Sequence, residues 1–358
     1  MTRHKVQRLC TFRLYTSNCS NYELESWIAT LIARNIQKLY LYYLGYKVTL
    51  PPCLFTCNTL LVDLSLGYCE TIPMTVYLPA LQKLLLRNVM YESDESIPRL
   101  LSGCPVLEEL TIYRDNEDNM ICCYISSPTL KRLLLTGRCF KDVEKKAYKV
   151  KLDTPVLRYL RLEDSVTRSF SAGGLTSLTE ADVDFYSPMT LAYARSVLEF
   201  VSRLYNVKCL KLSTFKMKVP DSEFSALTIK FHNLTELKLN ADWRFITKLL
   251  EKADNLQVLK IAMFKIDLNV WMDPKRVPAC LASHLGTVRI DSFGYSEDEF
   301  SMVRYILRNS KVLKRMEIYP RDNRIDLKDK SEAHERISLF ERACELVLQN
   351  LFYFCCTF

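Results

Sequence analysis

Four histidines, His4, His232, His284 and His334, are the only imidazoles in the sequence, and they stand far apart. A general base or a metal centre needs partners that converge around it. The expectation is therefore four structural or exposed residues, with His232 in a turn just ahead of a strand. Cysteine is more plentiful, at fourteen. Cys53 and Cys57 are four apart and Cys122-Cys123 are adjacent, but the paired C-x-x-C spacing of a zinc site is missing. Burial at repeat positions accounts for both pairs. Gly173-Gly174 reads as a loop, because neither the Lys-Ser or Lys-Thr of a phosphate-binding loop nor a dinucleotide fingerprint accompanies it. The final Cys355-Cys356-Thr357-Phe358 has the outline of a prenylation box, yet Cys356 and Thr357 are poor aliphatic matches and no polybasic run precedes them. Asn18-Cys19-Ser20 and Asn233-Leu234-Thr235 match the glycosylation triplet, but Leu234 is a repeat core position. The sequence predicts no catalytic residue, no metal and no cofactor, hence not an enzyme.

Composition points the same way. Of 358 residues, 49% are hydrophobic and 25% charged, with only eight glycines and thirteen prolines, the profile of a folded chain without long low-complexity stretches. The formal charge of +8 favours acidic partners. Its Lys and Arg are spread along the chain, whereas a nucleic-acid footprint gathers them on one patch. Met1-Thr2-Arg3-His4-Lys5 is not followed by the apolar run of a secretory signal. The cysteines are accordingly expected as reduced, buried, small hydrophobes. No apolar stretch approaches membrane-spanning length. Cytoplasm or nucleus is the expected location, with no membrane partner.

The elements that carry the polar residues repeat. An apolar-x-x-apolar-x-apolar pattern recurs along the whole chain, as in Leu81, Leu84, Leu86, in Leu157, Leu160, Leu162, and in Leu256, Leu259, Ile261. Starts fall roughly 20 to 29 residues apart, the period of leucine-rich repeats. The alternating part of each pattern is a short strand with one buried face. Helical patterns lie between strands, at 95–101, 195–204, 243–250 and 299–307. Alternating strands and helices predict an α/β leucine-rich-repeat solenoid, with a curved parallel sheet on the concave face and helices on the convex face.

The concave face takes the polar positions between the buried ones. Their central column reads Tyr40, Ser65, Leu85, Thr111, Leu134, Arg161, Asp182, Lys211, Lys238, Lys260, Arg289 and Glu317. Four consecutive late rows are basic, spanning roughly 14 Å at the usual strand spacing. Tyr40, Leu85, Leu134, Arg161, Lys211, Lys238, Lys260 and Arg289 are the expected partner-binding residues. The plainer reading is a solvated face balanced by acids such as Glu236 and Asp242. A nucleic-acid-binding solenoid using the basic stripe is an alternative, and a steep salt dependence would mark it.

Particular stretches resemble the plant F-box/FBD/LRR-repeat family. The most specific is Leu100-Leu101-Ser102-Gly103-Cys104-Pro105-Val106-Leu107-Glu108-Glu109-Leu110, supported by Leu78-Pro79-Ala80-Leu81-Gln82-Lys83-Leu84-Leu85-Leu86. Gly103 there stands where a helix C-terminus favours a left-handed residue, and Pro105 keeps the helix from continuing. Val277-Pro278-Ala279-Cys280-Leu281, Gly294-Tyr295-Ser296-Glu297-Asp298-Glu299 and Tyr305-Ile306-Leu307-Arg308-Asn309 resemble the FBD domain that follows the repeats. Glu297, Asp298 and Glu299 suit a helix N-terminus. The division that follows is repeats over 1–270, an FBD-like unit over 271–320, and a divergent tail over 321–358 able to form a helical cap. The resemblance implies substrate recruitment for ubiquitination, through an F-box that docks on the SKP-type adaptor of a cullin-RING ligase. No F-box pattern is found in this sequence. The expected partner is thus a target protein, with the adaptor a partner only if an F-box lies upstream. A decoy that binds the same targets without the ligase is the other reading.

Overall fold

The structure is a computed structural model. It describes residues 10–17, 19–43, 49–56, 60–69, 72–73, 75–114, 120–137, 148–164, 167–173, 175–185, 190–214, 219, 222–262, 271–321, 327–340 and 344–348. The fold is α/β, built from leucine-rich repeats whose strands run parallel in chain order. Two compact units, Met1–Leu178 and Thr179–Phe358, divide it.

The first unit holds β1 (Thr11–Thr16), α1 (Asn21–Ala33), β2 (Lys38–Tyr43), β3 (Asp63–Gly67), β4 (Lys83–Arg87), α2 (Ser96–Ser102) and β5 (Glu109–Arg114), followed by β6 (Cys122–Ser126), β7 (Arg132–Gly137), β8 (Tyr148–Asp153), β9 (Tyr159–Asp164) and β10 (Thr167–Gly173). Strands β1, β2, β3, β4, β5, β7 and β9 pair successively in one parallel sheet. The register puts repeat residue against repeat residue, so Leu84, Leu110, Leu133 and Leu160 stand in one row. All four are buried. Each such leucine is stabilised by about 2 kcal/mol over an exposed one.

The opposite wall is not helical throughout. After α2, the chain lays β6, β8 and β10 into a second, three-stranded parallel sheet. Tyr148–Asp153 alternates buried and exposed along its length. The pattern of Tyr, Val and Leu separated by Lys and Asp favours a one-sided strand over a helical stripe.

The second unit runs β11 (Glu180–Phe185), α3 (Leu191–Arg203), β12 (Cys209–Ser213), β13 (Glu236–Asn240), α4 (Trp243–Leu250), β14 (Val258–Ala262), α5 (Ala279–Ser283), β15 (Thr287–Phe293), α6 (Glu297–Asn309), β16 (Arg315–Pro320), α7 (Leu327–Ser338) and β17 (Glu345–Leu348). Its seven strands pair in chain order, all parallel. Helix starts are set by short polar caps. Thr190 accepts from the Tyr193 N–H at α3, and Asp242 from the Phe245 N–H at α4. Ser296 and Glu299 form a reciprocal capping box at α6. Of the acids there, Glu299 is buried and also accepts from the Gly294 N–H and from Arg321 Nη2 at 3.1 Å. The segment after residue 320 contributes both a helix and a strand, the strand pairing with β16.

Three expectations need correcting. Gly103 is not left-handed: its φ is −79° and ψ −5°. Glycine is required there by close approach, because a Cβ would lie 2.2 Å from the Val76 carbonyl oxygen. Asp242 does not flank the basic stripe; it caps α4 and pairs with Arg244 at 3.0 Å. Burial does not cover every cysteine. Of the described cysteines, Cys69, Cys104, Cys123 and Cys280 are buried, but Cys10 and Cys53 are exposed. Cys57 and Cys355-Cys356-Thr357-Phe358 lie outside the described residues.

Candidate functional site: the exposed face of the parallel strands

Alternation along each strand points every second side chain away from the core. Stacking in register turns these side chains into columns. In the second unit the central column is Asp182, Lys211, Lys238, Lys260, Arg289 and Glu317, each aligned with the next. The four basic residues are therefore adjacent, as their spacing predicts.

Their charge is largely spent locally. Lys211 Nζ sits 2.9 Å from Asp182 Oδ2, and Lys260 Nζ 2.6 Å from Glu236 Oε1. Arg289 Nε donates to Asp291 Oδ1 at 2.8 Å, and its guanidinium lies 4.1 Å over the Tyr319 ring. Among the described residues Lys238 has no carboxylate within ion-pair distance. Half-exposed pairs of this kind each contribute at most about 1 kcal/mol. Their larger effect is to hold long side chains upright in a defined pattern.

The first unit builds its face from tyrosine and arginine. Arg13 lies 4.9 Å over the Tyr40 ring, and Tyr40 Oη donates to Asp63 Oδ2 at 2.7 Å. Burial, then that hydrogen bond, pushes the Tyr40 hydroxyl above its ordinary value. Tyr15 and Tyr42 stack at 5.1 Å with rings 10° from parallel. The Tyr42 ring lies so close over Gly67 that a Cβ there would meet Tyr42 Cδ1 at 2.5 Å. Further along, Arg132 lies 3.8 Å over Tyr159, and Arg87 lies 4.3 Å over Tyr113. Stacked guanidiniums are stabilised by the ring quadrupole while their donors stay available.

Between β4 and β9 the face opens into a pocket of about 330 Å³. Its origin is a local drop in side-chain height. Strand β7 offers only Leu134 and Thr136, while Arg87 and Tyr113 rise on one side and Arg161 and Glu163 on the other. Tyr68, Asn88 and Arg114 complete the rim.

Of the residues singled out by the central column, Leu134 and Arg161 meet in this pocket, and Lys211, Lys238, Lys260 and Arg289 form one row. Tyr40 and Leu85 stand on the same face of the first unit, away from the pocket lining. Arg87, Tyr113, Thr136 and Glu163 escape a reading restricted to the central column. They occupy the next column along each strand, two residues later, and the same alternation identifies them. Among the described residues no group of three or more His, Cys, Asp or Glu is placed to hold a metal ion. No helix among them is long and apolar enough to cross a membrane.

Comparison with known proteins places this architecture. The family model described as FBD-associated F-box protein At5g56370, LRR repeats, matches residues 24–174, and the FBD model matches 273–318. Relatives from Arabidopsis thaliana span most of the chain. F-box/FBD/LRR-repeat protein At3g52680 is 30% identical, over 87% of this chain and 70% of its own length. FBD-associated F-box protein At3g52670 is 33% identical, with the same two coverages. F-box/FBD/LRR-repeat protein At4g00160 is 30% identical, again over 87% and 70%. Parallel leucine-rich repeats, an FBD match after them and relatives that span most of the chain agree: the chain belongs to the F-box/FBD/LRR-repeat family.

Proposed function

We propose that this chain captures a target protein on the exposed face of its parallel strands, as the recognition part of an SKP-cullin-F-box ubiquitin ligase. The observation that carries the reading is the unbroken column of outward side chains within each unit. It displays Tyr40, Leu85, Leu134 and Arg161 in one, and Lys211, Lys238, Lys260 and Arg289 in the other. Tyrosine and arginine on a rigid support suit protein recognition, because they contribute large contact areas without much loss of side-chain freedom. The relatives carry F-box in their names, which supports the ligase connection. Ion pairing of Lys211, Lys260 and Arg289 favours a protein partner over a phosphate backbone, which needs a surplus of cations.

The test is affinity capture with the full chain against the variants Lys211→Glu/Lys238→Glu/Lys260→Glu and Leu85→Asp/Leu134→Asp. A saturable protein partner lost from either variant supports the face. A partner retained by both sinks it. Recovery of an SKP-type adaptor alongside the target separates the ligase role from the decoy role.

A further inference from the structure

We infer that the pocket between β4 and β9 is the anchor site for an aromatic side chain of the target protein. The inference rests on the target-capture reading and adds to it the kind of residue captured. Shape comes first. One column across the sheet runs Tyr113 on β5, Thr136 on β7 and Glu163 on β9, in register. Tyr113 and Glu163 line the hollow on either side, and the smaller Thr136 and Leu134 form its floor. The walls stand two strand spacings apart, roughly 10 Å. Packed carbon atoms sit about 3.5 to 4 Å apart, so one flat ring with a contact on each face takes about 7 to 8 Å of that width.

One wall offers a stacking face. Arg87, from the neighbouring strand β4, lies 4.3 Å over the Tyr113 ring and takes the face on its own side. Among the described residues it is the one group stacked on that ring. Tyr113 also lines the hollow, so its other face looks across Thr136. An incoming ring seated there extends the Arg87–Tyr113 stack by one member. Arg87 fixes the plane of Tyr113 before any ligand arrives, so little side-chain freedom is lost on binding.

The opposite wall supplies a cation. Arg161 lies diagonal to Tyr113, two residues before Glu163 on β9, and its Nη2 sits 3.8 Å from Glu163 Oε2. The carboxylate thus holds the guanidinium at the β9 side of the slot, with the Arg161 side chain 45% exposed. A guanidinium attracts the quadrupole of an aromatic ring and has no comparable attraction for a saturated one. A target ring therefore lies between the Tyr113 face and Arg161, with Leu134 adding apolar contact from below. Selection comes from ring against ring and ring against cation, and the net charge of the hollow does not enter it. Aromatic anchors seated in pockets carry much of the affinity at protein interfaces.

Titration of the full chain with p-cresol, which reproduces the tyrosine side chain, and with its saturated counterpart 4-methylcyclohexanol tests the assignment. Methyl NMR reads both affinities, and p-cresol is expected to shift the Leu134 methyl signals. Its binding should saturate with a Kd of about 1 to 10 mM, as for other ligands this small. 4-Methylcyclohexanol should bind at least about threefold more weakly. Tyr113→Leu should remove that preference, and Thr136→Phe should fill the slot and abolish binding, so the result does not hang on one variant's folding. Lys275→Gln, a change elsewhere, leaves affinity unchanged. N-acetyltyrosinamide should bind as p-cresol does; its exclusion would assign a free small aromatic and overturn the side-chain assignment. Equal affinity for p-cresol and 4-methylcyclohexanol overturns the proposal. So does unchanged p-cresol affinity in both Tyr113→Leu and Thr136→Phe, or no saturable binding at about 20 mM p-cresol. The titration needs no target, so its failure removes the anchor alone, whereas failure of target capture shows separately as a partner retained by both variants of the face.

Discussion

Replacing Gly103 by alanine separates two explanations of one glycine. Its backbone is right-handed, a conformation alanine adopts freely. On local grounds alone, Gly103→Ala would stabilise the fold by about 0.4 to 1 kcal/mol, by narrowing the unfolded ensemble. The tertiary structure reverses that sign. The new Cβ would sit 2.2 Å from the Val76 oxygen and 2.7 Å from the Val76 carbonyl carbon. Both are backbone atoms and cannot rotate away. The segment bearing them is tied down on both sides, since Leu78 N donates to the Gly103 carbonyl at 2.8 Å and Tyr77 N to the Phe55 carbonyl at 2.7 Å. Overpacking of this kind costs about 1 to 3 kcal/mol, with the upper end expected for backbone. The net prediction is a loss of about 2 kcal/mol, or roughly 4 to 8 °C in melting temperature for a unit of this size. Urea denaturation and thermal scans measure it, with Gly173→Ala as reference. At Gly173 no heavy atom lies within 4 Å of the added carbon, and the change should stay within about 0.5 kcal/mol. Gly103→Asn should be at least as damaging as alanine, whereas a left-handed cap would tolerate it. A neutral or stabilised Gly103→Ala, or a benign Gly103→Asn, would refute the close-approach reasoning.

Three further outcomes follow from the structure. Ser296→Ala removes one arm of the α6 capping box and should cost about 1 kcal/mol in urea denaturation; no change would mean that the box is not formed in solution. Burial pushes the Cys69 and Cys104 thiols up to about 12 and Cys280 to about 11, so at pH 8 all three should resist alkylation while exposed Cys10 and Cys53 react, as peptide mapping would show. Prompt labelling of Cys69 or Cys104 would contradict the buried placement. The hydrogen bond from Arg336 holds the Glu297 carboxyl below its ordinary value. The pair's contribution is therefore complete above about pH 4.3 and is lost as pH falls through the depressed value. Exchange of the α7 amides, corrected for intrinsic rate, should quicken over that acid range, and Glu297→Gln should remove the pH dependence.

The strand framework was legible because its signal is local and repeated. The apolar positions of Leu84, Leu86 and their equivalents mark both the buried face and the register, and the register aligns Lys211 with Lys238 and Lys260. The four helical patterns also correspond to α2, α3, α4 and α6. What escaped depends on neighbours distant in sequence. The alternation in Tyr148–Asp153 is visible, but only pairing with Cys122–Ser126 and Thr167–Gly173 makes it the centre of a sheet. The left-handed reading of Gly103 failed because Val76, far back in the chain, decides the matter. Neutralisation of the basic row was foreseen in kind, through Glu236, but not in its partners Asp182 and Asp291. The pocket needs the relative heights of side chains on four strands, and a single column of residues does not contain that information.

Nearest-neighbour pairing also bears on how the chain is made. Leu210 pairs with Leu237, and Leu237 with Leu259, so within the second unit a strand's partner is the one synthesised just before it. A ribosome delivering roughly 5 to 20 residues per second takes a second or more to supply each new repeat. Local loops and strand contacts form within about microseconds. Each repeat then finds a finished template waiting, and the apolar surface uncovered at any moment is one growing end. A lesion in the middle of the array, such as a lost core leucine, would stall everything downstream while leaving what precedes it folded.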